Sequence, residues 1–224
     1  MQLKDKIVVI TGGSKGLGKA MASCFLKEGS KVIVCSRDES EFINLEEGIL
    51  GIKVDVTKEN ELQSLAEKVV TQFGRIDIWI NNAGIGMEHV SIEEIDSVLA
   101  HEVMEVNFFG TFFGSRSVIK YMKKQKFGTI LNIISSRAFD PSPLSSIYSS
   151  SKWAVRGFTE LLRKTLSMEN ISVIAAYPAG MQTDFFGKTK PVDYKNYMEP
   201  EFVAEKIVEN LKKETLEEEL IIKR

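Results

Sequence analysis

In the stretch Tyr148-Ser149-Ser150-Ser151-Lys152 a phenol stands four residues before an ammonium. In a helix, positions i and i+4 share a face, so the two groups are brought side by side. A neighbouring cation stabilises phenolate, lowers the tyrosine pKa from about 10 and makes the phenol a usable proton donor near neutral pH. Lysine is common in this chain, so the pair is a weak signal by itself and takes its weight from what accompanies it.

A second stretch with chemical content lies near the N-terminus. The apolar run from Ile7 to Ile10 leads into TGGSKGLG, and helical periodicity follows from about Leu17. A strand, a glycine loop and a helix in that order form a dinucleotide cradle. Gly12 permits the turn, Gly16 lets the backbone approach a pyrophosphate, and Gly18 allows close helix packing. The helix N-terminus then faces the anion, with Ser14, Lys15 and Leu17 in the loop around it. A ligand-free tight turn would not need three glycines. The second apolar run ends in VIVCSRD. Where an acid would bind the ribose hydroxyls of NAD, this chain has Ser36 followed by Arg37. A hydroxyl and a guanidinium suit a 2′-phosphate, and Lys15 adds a second cation. The expected cofactor is NADP(H) in preference, with NAD(H) as the second choice. The other reading of Arg37 is a surface charge paired with Asp38.

These groups need a scaffold, and the rest of the chain supplies its outline. Short β-branched runs, KIVVI, KVIVC, GIKVDV, IDIWI, GTILNII and ISVIAA, alternate with longer amphipathic stretches. The runs at 7–10, 32–35 and 130–134 are nearly all apolar, as strands buried on both faces are. In the stretch 59–73, Leu62, Leu65, Ala66 and Val69 fall on one helical face, and 149–168 has the same period. The alternation predicts an α/β, Rossmann-type doubly wound parallel sheet of about seven strands with helices on both faces. A last helix is expected over 202–212 and a last strand in ELIIKR. No linker or composition break divides residues 1–224, so one domain is expected.

Taken together, these stretches resemble the short-chain dehydrogenase/reductase family, closest to its oxoacyl-reductase-like members, over nearly the whole chain. TGGSKGLG matches the family's TGxxxGxG, VDVT at 54–57 its adenine-side motif, and NNAG at 81–84 its namesake. Asn107 in EVNFFGTFF, the serines of NIISS and the YSSSK stretch complete the set. The resemblance implies a catalytic group of Asn107, Ser135, Tyr148 and Lys152. Tyr148 would give a proton to a carbonyl oxygen, Ser135 would orient that oxygen, and Lys152 would also bond the nicotinamide ribose. Asn107 would hold a water linking Lys152 to solvent. Asp55 would contact the adenine amino group, with Val56, Asn82, Ala83 and Gly84 along the cofactor. Pro178, Met181 and Thr183 would meet the nicotinamide end, Thr183 at the carboxamide.

The implied reaction is NADPH-dependent reduction of a ketone to an alcohol. The alternative on the same fold is a non-catalytic dinucleotide-binding redox sensor or interaction protein. Family spacing chooses Ser135 over Ser136, being thirteen residues before the tyrosine and seven after Gly128, which opens the fifth strand. Ser136 is expected to point away and cap a backbone amide. Substrate contacts are expected from Ser135, Arg137, Phe139, Tyr148 and Phe185. A lid is expected over 184–199, where Phe185, Phe186, Tyr194 and Tyr197 either cover an apolar substrate or pack the lid itself. The sequence departs from the family at Ala179, where glycine is usual, and Gly180 is expected to supply the backbone freedom. The short segment between Arg37 and Asp55 implies a stubby third helix. The short C-terminus argues for a homodimer through helices at 101–124 and 149–168, with a homotetramer as the second choice. Gly110 and Gly114 allow either close approach of a partner helix or packing on the sheet.

Composition narrows the remaining classes. A net charge of −2 gives no basis for a nucleic-acid partner, and Lys120, Lys123, Lys124 and Lys126 read as a solvated helix end. Cys24 and Cys35 read as thiols in a reducing compartment. The two histidines, His89 and His101, have no partner pattern, so no metal is expected. No apolar run approaches a membrane span and no leader is evident, which makes the cytoplasm the expected location.

Overall fold

The computed structural model describes residues 1–87, 90–186, 190–191 and 193–224. His89 and lid positions 187–189 and 192, together with the Phe186 side chain, lie outside the described residues. Seven parallel strands form one sheet in the order β3-β2-β1-β4-β5-β6-β7. They are β1 (Ile7–Thr11), β2 (Lys31–Ser36), β3 (Ile49–Lys53), β4 (Ile78–Asn81), β5 (Gly128–Ile133), β6 (Ile171–Pro178) and β7 (Glu219–Ile222). The helices are α1 (Gly16–Lys27), α2 (Glu59–Phe73), α3 (Ser97–Met104), α4 (Gly110–Gln125), α5 (Ser146–Leu166) and α6 (Pro200–Lys212).

The apolar runs become strands buried on both sides because helices cover both faces. Along β1, Val8 and Ile10 point into the core under α1 and α6. Ile7 and Val9 point the other way, into the core under α2, α4 and α5. This alternation is the strand period of two. Leu62, Leu65, Ala66 and Val69 of α2 are buried together, as their helical spacing requires. The strand order reverses at the β1–β4 pair. In such sheets the crevice beyond the carboxyl ends of the strands, at that reversal, is where ligands bind. The glycine loop and Ser135 follow β1 and β5, while NNAG begins at the last residue of β4 and Pro178 ends β6, so all four open onto that edge.

Three elements differ from the sequence expectation. The segment after Arg37 forms a 3-10 turn, Glu39–Asn44, with no buried residue, in place of a third α-helix. Strand β3 starts at Ile49 and ends before Val54, since its register is set by pairing with β2. The helix expected over 101–124 begins at Ser97, where the Asp96 carboxylate accepts the Val98 and Leu99 N–H at 2.6 and 3.1 Å. It passes through a π-turn, Glu105–Phe109, before continuing as α4. Among the described residues no helix is long and apolar enough to cross a membrane, and no cluster of His, Cys, Asp and Glu could hold a metal ion.

Candidate active site

A groove of about 910 Å³ runs along the carboxyl edge of the sheet, from the end of β2 to the loop after β6. At its start, Gly12 (φ 62°) and Gly16 (φ 52°) adopt left-handed backbone that glycine takes without strain. A Cβ on Gly18 would lie 2.1 Å from the Gly12 carbonyl oxygen, so helix and turn close together only with glycine there. Asn82 donates to the carbonyls of Thr11 and Gly12, each at 2.9 Å. The Thr11 hydroxyl accepts the N–H of Asn82 and Ala83 at 3.0 and 3.1 Å. The NNAG segment therefore braces the glycine loop with the Asn82 side chain and lines the groove through Ala83 and Gly84. The N-terminus of α1 has no side-chain cap and no acid in its first turn, which leaves its amides open to an anion. A pyrophosphate fits there.

The end of β2 holds a feature that motif reading missed. Ser14, Lys15 and Ser36 all converge on the carboxylate of Glu41. Ser36 Oγ donates at 2.7 Å and Lys15 Nζ at 2.8 Å, with Ser14 Oγ as the third donor. The bonds from Lys15 and Ser14 are the main cause that draws the Glu41 pKa down to about 2. Arg37 pairs with neither Glu41 nor Asp38. Its guanidinium lies 3.7 Å from Glu102, while Asp38 caps the 3-10 turn by accepting the Ser40 N–H at 2.9 Å. Beside Arg37, a pocket of about 450 Å³ is lined by Val54 and Asp55. One Asp55 oxygen accepts the Thr57 N–H and hydroxyl at 3.0 and 2.8 Å. Val56 is buried against Gly110.

The four residues of the implied catalytic group come together from three separate elements, with Ser135, Tyr148 and Lys152 lining the groove and Asn107 behind it. Ser135 follows β5, is buried, and lies within hydrogen-bonding reach of the Tyr148 phenol near the start of α5. Its Oγ accepts the Arg137 N–H at 3.2 Å, so the amide cap expected of Ser136 is made by Ser135. Lys152, one turn beyond Tyr148, is buried and donates to the Ile133 carbonyl at 3.1 Å. Asn107 sits fully buried in the π-turn, a deformation frequent at functional sites. Its Oδ1 accepts the Ile85 N–H at 2.8 Å, and its Nδ2 donates to the Ile85 carbonyl and Ser151 Oγ at 3.1 and 3.0 Å. A Cβ on Gly84 would stand 3.2 Å from Asn107 Oδ1 and 3.6 Å from Lys152 Nζ. Gly84 thus lies between the groove and both side chains, of which Lys152 lines the groove.

The electrostatics correct one expectation. Burial pushes the Tyr148 pKa up, and the Ser135 bond and the Arg137 charge offset only part of it. Lys152 does not supply the expected lowering here. Its ammonium is committed to the Ile133 carbonyl and lies 5.8 Å from the phenol ring centroid. Burial draws Lys152 itself down to about 8.

Two further expectations change. Phe139 does not line the groove. The turn Ser136–Ala138 carries it outward, where it packs on Tyr177 (centroids 4.5 Å apart) with the Arg156 guanidinium 4.2 Å from its ring. Arg137 does line the groove. Gly180 has no positive φ among the described glycines. Glycine is needed there because the Tyr197 ring lies 2.6 Å from where a Cβ would be. Pro178 closes β6, and Met181 pairs with Met198. Thr183 lies on Gly16 and accepts the Tyr194 hydroxyl on its carbonyl at 3.2 Å. Phe185 packs edge-on against Tyr148, with centroids 5.5 Å apart, so part of the expected lid rests on that phenol.

The sequence pattern of the short chain dehydrogenase family matches residues 6–193. The chain belongs to that family. It is 34% identical to an uncharacterized oxidoreductase of Staphylococcus saprophyticus over 217 residues, 91% of this chain and 92% of that protein. It is 31% identical to an uncharacterized oxidoreductase of Thermotoga maritima over 210 residues, 87% of this chain and 82% of that one. The structure of a 3-ketoacyl-(acyl-carrier-protein) reductase from Brucella melitensis, complexed with NADH, superposes with a TM-score of 0.90 at 26% identity, covering 98% and 97% of the two chains. The structure of ElxO with NADP bound superposes with a TM-score of 0.88 at 29% identity, covering 97% of each chain. This family member is an oxidoreductase, and its groove is the place to look for its chemistry.

One more feature of this family member lay beyond motif reading. Behind the groove, Asn81 donates to Ser115 Oγ and Asn132 Oδ1 at 2.9 and 2.8 Å, and accepts from Trp79 Nε1 at 2.8 Å. Asn132 donates on to Thr159 Oγ1 at 2.9 Å. The signal was present as single polar residues within otherwise apolar strands, in IWINN and TILNII.

Proposed function

We propose that this protein is a carbonyl reductase that uses NADPH in preference to NADH, reducing a ketone to an alcohol with Tyr148 as proton donor. The observation that carries the reading is the meeting of Ser135 and Tyr148 in a groove that begins at the glycine loop. A bound reduced nicotinamide supplies the hydride. The chain's own groups meet the charge that then develops on the substrate oxygen. The Ser135 hydroxyl donates a hydrogen bond to that oxygen and fixes its position. Tyr148 Oη delivers the proton. Lys152, at the same face of α5, holds the nicotinamide ribose, and the Ser135 bond and the Arg137 charge favour the resulting phenolate. Asn107 lies beside Lys152 and anchors the water through which the proton is replaced. Phe185, over Tyr148, limits water at the reacting centre, and Arg137 borders the substrate end.

The preference for NADPH is supported by Lys15 and Arg37 near the end of β2, with Ser36 between them. Both cysteines are free thiols, which agrees with a cytoplasmic location.

NADPH oxidation against ketones, quinones and β-keto thioesters tests the reading. Turnover with at least one class is expected, and Tyr148→Phe should lower it by about 10²- to 10⁴-fold while NADPH still binds. Near-normal turnover in that variant would refute the mechanism. Tight cofactor binding without turnover on any class would point to a sensor.

A further inference from the structure

Glu41 sits where the end of β2 and the glycine loop face each other. Its three donors come from two elements: Ser14 and Lys15 from the loop, Ser36 from the strand end. Ser14 and Ser36 share one carboxylate oxygen, and Lys15 takes the other. A phosphate monoester would draw on the same donors, because it too presents several anionic oxygens to hydroxyls and an ammonium. A carboxylate and a phosphate cannot share them, since like charges in contact repel. A ribose with free hydroxyls is different, because it brings donors that a carboxylate accepts.

The Glu41 side chain is only about a quarter exposed, which fits a group docked in a site. The turn that bears it has no buried residue, and its side-chain cap is the single contact from Asp38 to Ser40. Phe42 anchors that turn against the core and over Gly51, so it is the Glu41 side chain, not the turn, that swings out when an anion takes its donors. Arg37 is more than half exposed and lies against Glu102 at 3.7 Å, so it too is available to a new anion.

We infer that Glu41 sets the cofactor preference by standing in for the 2′-phosphate. NADPH binds when that phosphate displaces the Glu41 carboxylate from Ser14, Lys15 and Ser36. NADH binds with Glu41 in place and donates its ribose hydroxyls to it. Lys15 and Arg37 favour NADPH, and Glu41 holds that preference well below what the cations alone would give. The inference rests on the groove being the dinucleotide site proposed above.

The test is direct binding, by calorimetry, of 2′,5′-ADP and 5′-AMP to the full chain. These fragments differ only in the phosphate at issue. In the wild type their affinities should lie within about tenfold of each other. Glu41→Gln, which keeps the shape and removes the charge, should tighten 2′,5′-ADP by at least about tenfold, the scale of one charge-assisted contact. It should leave 5′-AMP unchanged or weaker. Glu41→Ala should act in the same direction, and circular dichroism would verify that both variants are folded. An unchanged affinity ratio in both would overturn the role of Glu41 while leaving the groove assignment intact. Failure of either fragment to bind any of the three proteins would overturn the groove assignment and the inference with it.

Discussion

Ser135 and Ser136 are neighbours at the end of β5 and both line the groove, and it is Ser135 whose hydroxyl lowers the Tyr148 pKa. Ser135→Ala should therefore lower turnover by about 10²-fold or more, as loss of an oxyanion donor does, while Ser136→Ala stays near wild type. Steady-state kinetics on the best ketone would check this, and the reverse pattern would reassign the role. Lys152 makes a prediction with two opposite signs. Burial draws it from 10.5 to about 8. Turnover needs the ammonium, so kcat/KM should fall as pH rises through about 8. Stability runs the other way. Between about 8 and 10.5 the unfolded chain keeps a proton that the folded chain has lost, so this residue's contribution to stability rises with pH across that window. Below the window the folded state holds an ammonium that burial disfavours. Lys152→Met should accordingly raise the unfolding midpoint at pH 7 while abolishing turnover. A lowered midpoint would mean that the Ile133 bond outweighs the desolvation.

At the scale of elements, the π-turn and the glycines of α4 explain how the site is held. Gly110 donates its N–H to the Glu105 carbonyl across the π-turn, which places Asn107 on the inner side of the helix. One turn on, a Cβ at Gly114 would lie 2.1 Å from Asn81 Oδ1 and 3.0 Å from Trp79 Nε1. Of the two readings of this glycine, packing on the sheet is the one the structure has. Gly114→Ala should destabilise the fold by about 1–3 kcal/mol through overpacking. It would show as an earlier midpoint in urea denaturation, and an unchanged midpoint would mean that α4 shifts freely off β4. The 3-10 turn after β2 is held differently, with Phe42 packed on the core and its other side chains near the surface.

At the scale of the whole molecule, the outer faces of α3 and α5 leave large apolar side chains in solvent. Val98, Trp153 and Leu161 are 77%, 50% and 65% exposed. We propose that a second copy covers this face, with burial of apolar area driving the association. Sedimentation velocity should give twice the monomer mass for the wild type, and Leu161→Glu should return it to the monomer without altering the folded spectrum. A wild type that sediments as a monomer at micromolar concentration would rule the interface out.

How much of this was written in the chain depends on the range of the interaction concerned. The strand runs, the helical faces, the glycine loop and the Tyr148–Lys152 pair were legible, because each is a local spacing that one element converts directly into geometry. The choice of Ser135 over Ser136 came from family spacing to Tyr148 and Gly128, and the kinetics above test it. Other features were settled only where distant segments meet. Glu41 reaches Ser14 across 27 residues, Asn107 meets Ser151 across 44, and Lys152 turns to Ile133 across 19. No periodicity encodes those contacts. Phe139 left the groove because a turn and the Tyr177 ring decided its direction. The sign of the Tyr148 shift followed the same logic, since spacing places a cation near a phenol but burial decides which charge state the site tolerates. The sequence alone determined the sheet, its order of elements and the residue types at its carboxyl edge, since these follow from local period and composition. Only the tertiary structure decided which polar groups at that edge face one another, because hydrogen bonds between loops depend on where the folded strands end.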